Sequence, residues 1–448
     1  MPERPALLGG PKAVGPTDPS LFAWPIIGRA EEEAVLSVLR SANMSGTDVT
    51  MRFEKAFAEW LGVPYALGFN NGTAAVMGAM FACRIGVGDE VIVPSVTYWA
   101  SVIQSMSLGG TPVFADIDPV TLCIDPKDIE WRIGPRTKAI LVVHYLSHPC
   151  DMDAIMEIAR RRGLKVIEDV SHAQGGFYKG RRLGTIGDVA AMSLMTGKSF
   201  AIGEAGILVT KERELYERAA SLGHYERFDK SFATPDLVPY AGLPFGGYKF
   251  RMHQMSSAVG LAQLPEYDAR IAEIRKAMDY FWDSLAGVPG VRPHRIDPSD
   301  GSDMAGWYGA NGLYVPEELG GLSVSRFCEA LRAEGCDDCT PGVNAALHTH
   351  ALFQTADVYG HGKPTRIANA ERDVRELDAS LPVSEGIGKR TYFVPWFKHL
   401  DKPAIDLYVD AFRKVAANAA ELRKDDPGDP PRLGGWHFFK HTKKKQEG

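Results

Sequence analysis

Four short stretches of the chain carry side chains whose types and placing suit one kind of chemistry. In KVIEDVS (165–171), Asp169 ends an apolar run and is followed by Ser171 and His172. A carboxylate at the end of a buried strand is costly without a permanent partner. A protonated heterocycle would supply one, and so would an N-cap or an arginine. In VAAMSLMTGKSFAIGEAGILVT, Lys198 stands among apolar and small residues. Desolvation there lowers a lysine pKa and readies the amine for attack on carbonyls. Gly197-Lys198-Ser199 resembles the end of a phosphate loop, but G-x-x-x-x-G-K-[ST] needs glycine at position 192, which is Met192. A third stretch, FNNGTAAVMG, turns at Asn70-Asn71-Gly72 into Thr73 and an apolar helix. Its free N–H groups and positive dipole end suit a phosphate, or make a plain N-capped helix. Lastly, Tyr98 and Trp99 follow EVIVPSVT, where one ring would lie flat on a planar ligand or serve as a lid on the core. No G-x-G-x-x-G follows a strand, which argues against a nicotinamide cofactor. A phosphate cradle, an aromatic shelf, an acid for a pyridinium nitrogen and an isolated lysine are what pyridoxal phosphate requires of a protein.

The elements that must position these residues alternate. Helical spacing appears in RAEEEAVLSVLRSAN and in MRFEKAFAEWLG, where Phe53, Phe57 and Trp60 share a face. Strand-like runs follow at 90–96, 111–118, 138–146, 165–171 and 205–210, apolar on consecutive positions as in strands buried on both faces. Helix-length spacers such as DMDAIMEIARRRGL separate them. The predicted fold is therefore α/β, with a mostly parallel sheet between helices, and its ligand lies beyond the carboxyl ends of the strands. After about residue 265 the rhythm changes to a long helix, LPEYDARIAEIRKAMDYFWDSLAG, and a smaller α+β unit. The expected division is an N-terminal arm (1–29), a large domain (30–265), a small C-terminal domain (266–424) and an extension (425–448). In the extension, Trp436, Phe438 and Phe439 would dock on a neighbouring surface, ahead of a lysine cluster read as a solvated end.

With 448 residues, 50 basic against 56 acidic side chains and a net charge of −6, the chain is long enough for a large core and has no global basic footprint for nucleic acid. No apolar span or signal-like start appears, so a cytoplasmic location and no membrane partner are expected. The six cysteines are too scattered for a disulfide framework, and Cys336-x-x-Cys339, without a second pair, is read as structural. His348 and His350 lack a third ligand at suitable spacing, so no metal is expected.

In order, N-G-T-A, P-S-V-T-Y, I-E-D-V-S-H-A-Q-G, S-L-M-T-G-K and G-E-A-G resemble the DegT/DnrJ/EryC1/StrS aminotransferases, over roughly residues 25 to 420. The resemblance implies a fold-type I pyridoxal-phosphate (PLP/PMP) enzyme. In it Lys198 is the internal-aldimine lysine, Asp169 the partner of the pyridine nitrogen, His172 a neighbour of the ring hydroxyl and Tyr98 the stacking aromatic. Gly72, Thr73 and Ser193 would contact the phosphate, and Glu204 follows the lysine at the family spacing. Where the family has N-x-R-M, GGYKFRMHQM carries Lys249 and keeps Arg251, which implies a phosphate contact to the partner subunit of a homodimer. The implied reaction is a ping-pong transfer of an amino group from glutamate or glutamine to a keto sugar or keto-cyclitol. The opening LLGGPKAV with Trp24-Pro25 is similar to scyllo-inosose aminotransferases and favours a cyclitol. A nucleotide-linked keto sugar, or a non-catalytic binding protein that kept the fold, are the alternatives.

Overall fold

The structure, a computed structural model, describes residues 3–436. Phe438, Phe439 and the lysine cluster lie outside the described residues. Seven strands form the central sheet: β1 (Tyr65–Phe69), β2 (Glu90–Pro94), β3 (Thr111–Ala115), β4 (Thr137–Val143), β5 (Lys165–Asp169), β8 (Val189–Ser193) and β9 (Gly206–Thr210). Two short strands between β5 and β8, β6 (Phe177–Tyr178) and β7 (Arg181–Arg182), make a separate hairpin. The sheet order is β1-β9-β8-β5-β4-β2-β3. The pairs β3/β2, β2/β4, β4/β5 and β5/β8 are parallel, while β9 runs antiparallel to both its neighbours. Val91, Ile92, Val93, Leu141 and Val142 are fully buried, as a sheet covered on both faces requires.

The helices covering the sheet are α1 (Arg29–Arg40), α2 (Asp48–Leu61), α3 (Gly72–Ala82), α4 (Ala100–Ser107), α5 (Pro126–Arg132), α6 (Met152–Arg162) and α7 (Arg213–Gly223). Phe53 and Phe57 of α2 are fully buried in the first core, with Trp60 packed beside them. The strand-like runs read from sequence correspond to β2, β3, β4, β5 and β9. Strand β1, YALGF, lacks the β-branched run that marks the others, and no strand is expected there from sequence.

The long helix α8 (Gln254–Ser284) begins ten residues before the expected Leu264 (264 − 254 = 10) and carries Pro265 inside it. A proline reads as a helix start because it removes an N–H and crowds the preceding turn. Here tertiary packing outweighs that cost: Ala258 of the first turns is buried against Val38 of α1 and Val49 of α2. The second half of α8 supplies Ile274, Met278, Phe281 and Trp282 to a second core.

That second core is built on the antiparallel sheet β10 (Val291–Pro293), β11 (Asn311–Tyr314) and β12 (Thr391–Phe393), on α9 (Val324–Ala333) and on the helix Lys402–Ala417. The N-terminal arm joins it through Val14 and Leu21. Glu334, fully buried, fastens the arm: its carboxylate accepts the N–H of Ala6 at 2.7 Å and of Ala13 at 2.9 Å, and meets Lys414 Nζ at 3.1 Å. Residues 343–387 return to the first core with Val343, Leu347, Phe353 and Val374. Cys336 and Cys339 are fully buried in the second core.

Candidate active site

The parallel strands end on one side of the sheet, and the chemistry-bearing residues collect there. Asp169 is the last residue of β5 and Ser193 the last of β8. The β8–β9 connection folds back over the sheet edge through Leu194 N–H to Ala205 O at 2.9 Å and Thr196 N–H to Gly203 O at 2.8 Å. Lys198 rides on this connection. A cavity of about 420 Å³ brings together Gly72, Thr73, Tyr98, Asp169, His172, Ser193, Lys198 and Glu204.

Asp169 is 4% exposed and has only neutral donors. Ser101 Oγ donates to its Oδ2 at 2.7 Å, and the Ser171 N–H to its Oδ1 at 3.0 Å. Neither an N-cap role nor an arginine accounts for it, so among the described residues the buried carboxylate has no cation hydrogen-bonded to it. Lys198 Nζ lies 4.2 Å from the Tyr308 ring centroid, with no hydrogen bond to it among the described residues. Burial holds its pKa down at about 8, against the opposing pull of Asp169.

His172 is buried between rings, 4.6 Å from Tyr308 and 5.5 Å from Tyr145. The Leu146 N–H donates to His172 Nδ1 at 3.3 Å, which assigns the ring proton to Nε2. Burial, and then the Lys198 charge, push its pKa well below the ordinary value, so the imidazole is neutral. The backbone that reaches it is strained: Leu146 and Ser147 have φ of 49° and 73°. Ser147 Oγ closes this turn on the His172 carbonyl at 2.6 Å.

At the start of α3, a Cβ on Gly72 would lie 2.5 Å from Ser193 Cβ and 2.7 Å from its Cα. Only glycine lets the helix end press into the strand end there. Asn71 Oδ1 caps the Ala74 N–H at 2.8 Å, leaving the helix terminus at the cavity wall. Of the two aromatic candidates, Tyr98 lines the cavity and Trp99 packs on the first core.

Lys249 and Arg251 do not line the cavity of their own chain. Both lie over the Tyr225 ring, at 5.6 and 5.3 Å, and Arg251 Nη1 donates to Ser45 O at 3.2 Å. His348 bonds Ser95 Oγ at 2.7 Å and Glu385 at 3.3 Å, away from the cavity. Trp436 does dock, its ring 4.7 Å from that of His350.

Sequence reasoning misses four residues. Ser101 is an ordinary serine in a helix start. Tyr308 arrives from the loop of Ala305 and Trp307, whose φ values of 49° and 55° no motif announces. Gln174 is fully buried. Its Nε2 donates to Ser171 O at 3.1 Å and Ser193 O at 2.7 Å, and its Oε1 accepts from Ser199 Oγ at 2.7 Å. Trp24 donates from Nε1 to the Lys198 carbonyl at 2.9 Å. The polar motif around Gln174 is a usable signal for it; Trp24 stands out only through the Trp24-Pro25 resemblance, with no sign of this contact, and nothing local marks Ser101 or Tyr308.

Comparison with known proteins gives the same picture. Residues 25–410 match the profile of the DegT/DnrJ/EryC1/StrS aminotransferase family. The L-glutamine:2-deoxy-scyllo-inosose aminotransferase of Streptoalloteichus tenebrarius is 33% identical over 385 residues, covering 82% of this chain and 87% of that protein. The GDP-perosamine synthase of Caulobacter vibrioides is 38% identical over 275 residues, 61% of this chain and 72% of that protein. The X-ray structure of the aminotransferase from Psychrobacter cryohalolentis aligns with a TM-score of 0.76 at 28% identity, over 89% of this chain and 99% of that one.

Proposed function

The chain belongs to the DegT/DnrJ/EryC1/StrS aminotransferase family, and from that premise we propose that it moves an amino group from glutamate or glutamine to a keto-cyclitol of the scyllo-inosose type. Enzymes of this family depend on pyridoxal phosphate, which when bound supplies an electron-accepting ring and a carbon that exchanges between amines. The observation that carries the reading is one cavity joining the buried amine of Lys198, the buried carboxylate of Asp169 and the start of α3 at Gly72-Thr73. These groups fit the cofactor's three ends: an aldehyde, a ring nitrogen and a phosphate.

Each residue then has a task. Lys198, its pKa lowered to about 8 by burial, would hold the cofactor at its aldehyde carbon and, when free, would carry the substrate proton as base and then acid. Asp169 would hold a proton on the ring nitrogen. Neutral His172 offers its Nε2–H to an oxyanion and cannot compete with Lys198 for protons. Tyr98 covers the face of the ring. Gly72 and Thr73 at the start of α3, with Ser193 at the end of β8 beside them, would hold the phosphate.

The cyclitol is favoured by the inosose aminotransferase relative, whose match spans most of both chains. The proposed division takes residues 30–265 as the cofactor domain, 266–424 as the small domain, with 343–387 packing back on the first core, and 425–448 as an extension. The proposed working form is a cytoplasmic homodimer. Tyr240, Leu243 and Phe245 are 59%, 77% and 42% exposed on the segment leading to Lys249 and Arg251, an apolar surface that a second copy would cover. Lys249 and Arg251 would then reach the partner's phosphate.

The test is to load purified protein with pyridoxal phosphate, trap it with borohydride, map the label, and screen glutamine and glutamate against keto-cyclitols and nucleotide-linked keto sugars. Label on Lys198 with turnover of a keto-cyclitol supports the proposal. Turnover of nucleotide sugars alone overturns the cyclitol reading, and absence of label overturns the catalytic one in favour of a binding protein.

A further inference from the structure

Lys198 is held from outside its own loop. The N–H of Trp24, in the N-terminal arm, donates to the Lys198 carbonyl at 2.9 Å. A second indole repeats the device: Trp396 Nε1 donates to Gly306 O at 2.9 Å. Gly306 belongs to the strained loop that delivers Tyr308, the ring beneath the Lys198 amine. The two indoles touch, with ring centroids 6.4 Å apart, and Trp396 also meets the Tyr308 ring edge-on at 5.9 Å.

Trp396 is itself clamped. The buried Lys398 lies with Nζ 3.0 Å from the centre of the Trp396 ring and donates to the Trp396 carbonyl at 3.1 Å. The Lys398 N–H bonds Leu21 O at 2.9 Å, which returns the connection to the arm. The lysine and the tyrosine ring it sits on are therefore each tethered through a backbone carbonyl by an indole N–H, and the tethers share a wall.

A lysine side chain has a flexible four-carbon stem, so the place of its amine is set by how firmly its backbone and the group it rests on are fixed. From inside its loop, among the described residues, Lys198 has only its N–H to Met195 O at 2.8 Å, while its neighbour Ser199 is fixed by Gln174 and by Tyr267 Oη at 3.1 Å. Without the Trp24 N–H, the carbonyl on the opposite side loses the donor that holds it.

We propose that Trp24 is a positioning residue for Lys198: its indole N–H fixes the lysine carbonyl so that the amine stays buried against Tyr308, and Trp396 fixes the tyrosine's loop in register with it. The inference rests on Lys198 being the lysine that takes the cofactor. An arm that merely fastened the two halves of the chain would leave the titration of that amine untouched.

The experiment compares wild type, Trp24→Phe and a variant carrying β-(3-benzothienyl)alanine at position 24, which keeps the bicyclic ring and lacks the N–H. Each is loaded with pyridoxal phosphate, and its cofactor–lysine absorption band is titrated with pH, alongside far-UV circular dichroism. The expected result is a native spectrum, a band whose apparent pKa moves by on the order of half a unit or more, and a kcat lowered about tenfold with the donor KM nearly unchanged. Trp396→Phe moves the band in the same sense. A band that titrates as in wild type in both position-24 variants overturns the proposal. Should Trp24→Phe fail to fold, the benzothienyl variant decides by the same criterion. Absence of a borohydride-trapped adduct on wild-type Lys198 overturns the functional reading and this inference with it, a result distinct from an adduct that forms but ignores position 24.

Discussion

Ser101 Oγ donates to Asp169 Oδ2 at 2.7 Å across the fold, joining the first turn of α4 to the last residue of β5. The bond occupies one carboxylate lone pair and fixes the plane of the group, leaving its open side to the cavity. Hydrogen bonds to charged acceptors contribute about 1.5–3 kcal/mol, so Ser101→Ala is expected to lower kcat/KM by roughly ten- to a hundredfold. Asp169→Asn, which cannot hold the ring proton, costs about 10²–10⁴-fold in kcat. Steady-state kinetics check both, and an Asp169→Asn enzyme within threefold of wild type contradicts the assignment.

The Lys198 amine titrates at about 8 in the folded chain against an ordinary 10.5. Between these values the unfolded chain binds more protons, so the stability of the cofactor-free protein rises as pH climbs from 8 to 10.5. Below pH 8 the penalty for burying the charge is present in full. Lys198→Met is therefore expected to stabilise the cofactor-free protein at pH 7 by on the order of 3 kcal/mol, an advantage that fades above pH 8. Urea melts at pH 7 and pH 10 check it. Capture of the cofactor by wild type should quicken up to about pH 8 and level off beyond.

Gly72→Ala drives a methyl group into Ser193, 2.5 Å from its Cβ. The helix start must back away from the strand end, costing about 1–3 kcal/mol of stability. Phosphate affinity is expected to fall with it, read as a pyridoxal-phosphate Kd raised about tenfold or more in a spectroscopic titration.

His172→Ala strips the Leu146 N–H of its acceptor inside a left-handed turn, a loss of about 1–3 kcal/mol. His172→Gln can still accept that N–H through its side-chain oxygen and should recover most of the stability. Thermal melts of the two variants separate this structural duty from the one in the cavity. Equal Tm losses would contradict the assigned hydrogen bond.

Legibility in the sequence followed the range of the interactions. Asp169, Ser193 and the turn before Gly72 announce themselves because each ends or begins an element whose pattern is local. Lys198 stands out through its apolar neighbours. The contacts of Tyr308 and Trp24 with Lys198 do not, since they span 110 and 174 residues along the chain (308 − 198 and 198 − 24). The same limit shaped the fold: β1 has too plain a composition to mark a strand, and only contact with α1 and α2 explains why α8 runs through Pro265. Lys249 and Arg251 lie over the ring of Tyr225, a contact that no local pattern in their segment marks.

Glu334 holds Ala6 across 328 positions of sequence and Lys414 from the far side. A ribosome releases the arm long before it has made the helix that completes the seat. The emerging chain therefore carries Val14 and Leu21 without their complete seat until nearly the whole polypeptide is out. Until then Trp24 has no fixed place from which to reach the Lys198 carbonyl, so that bond forms late in assembly.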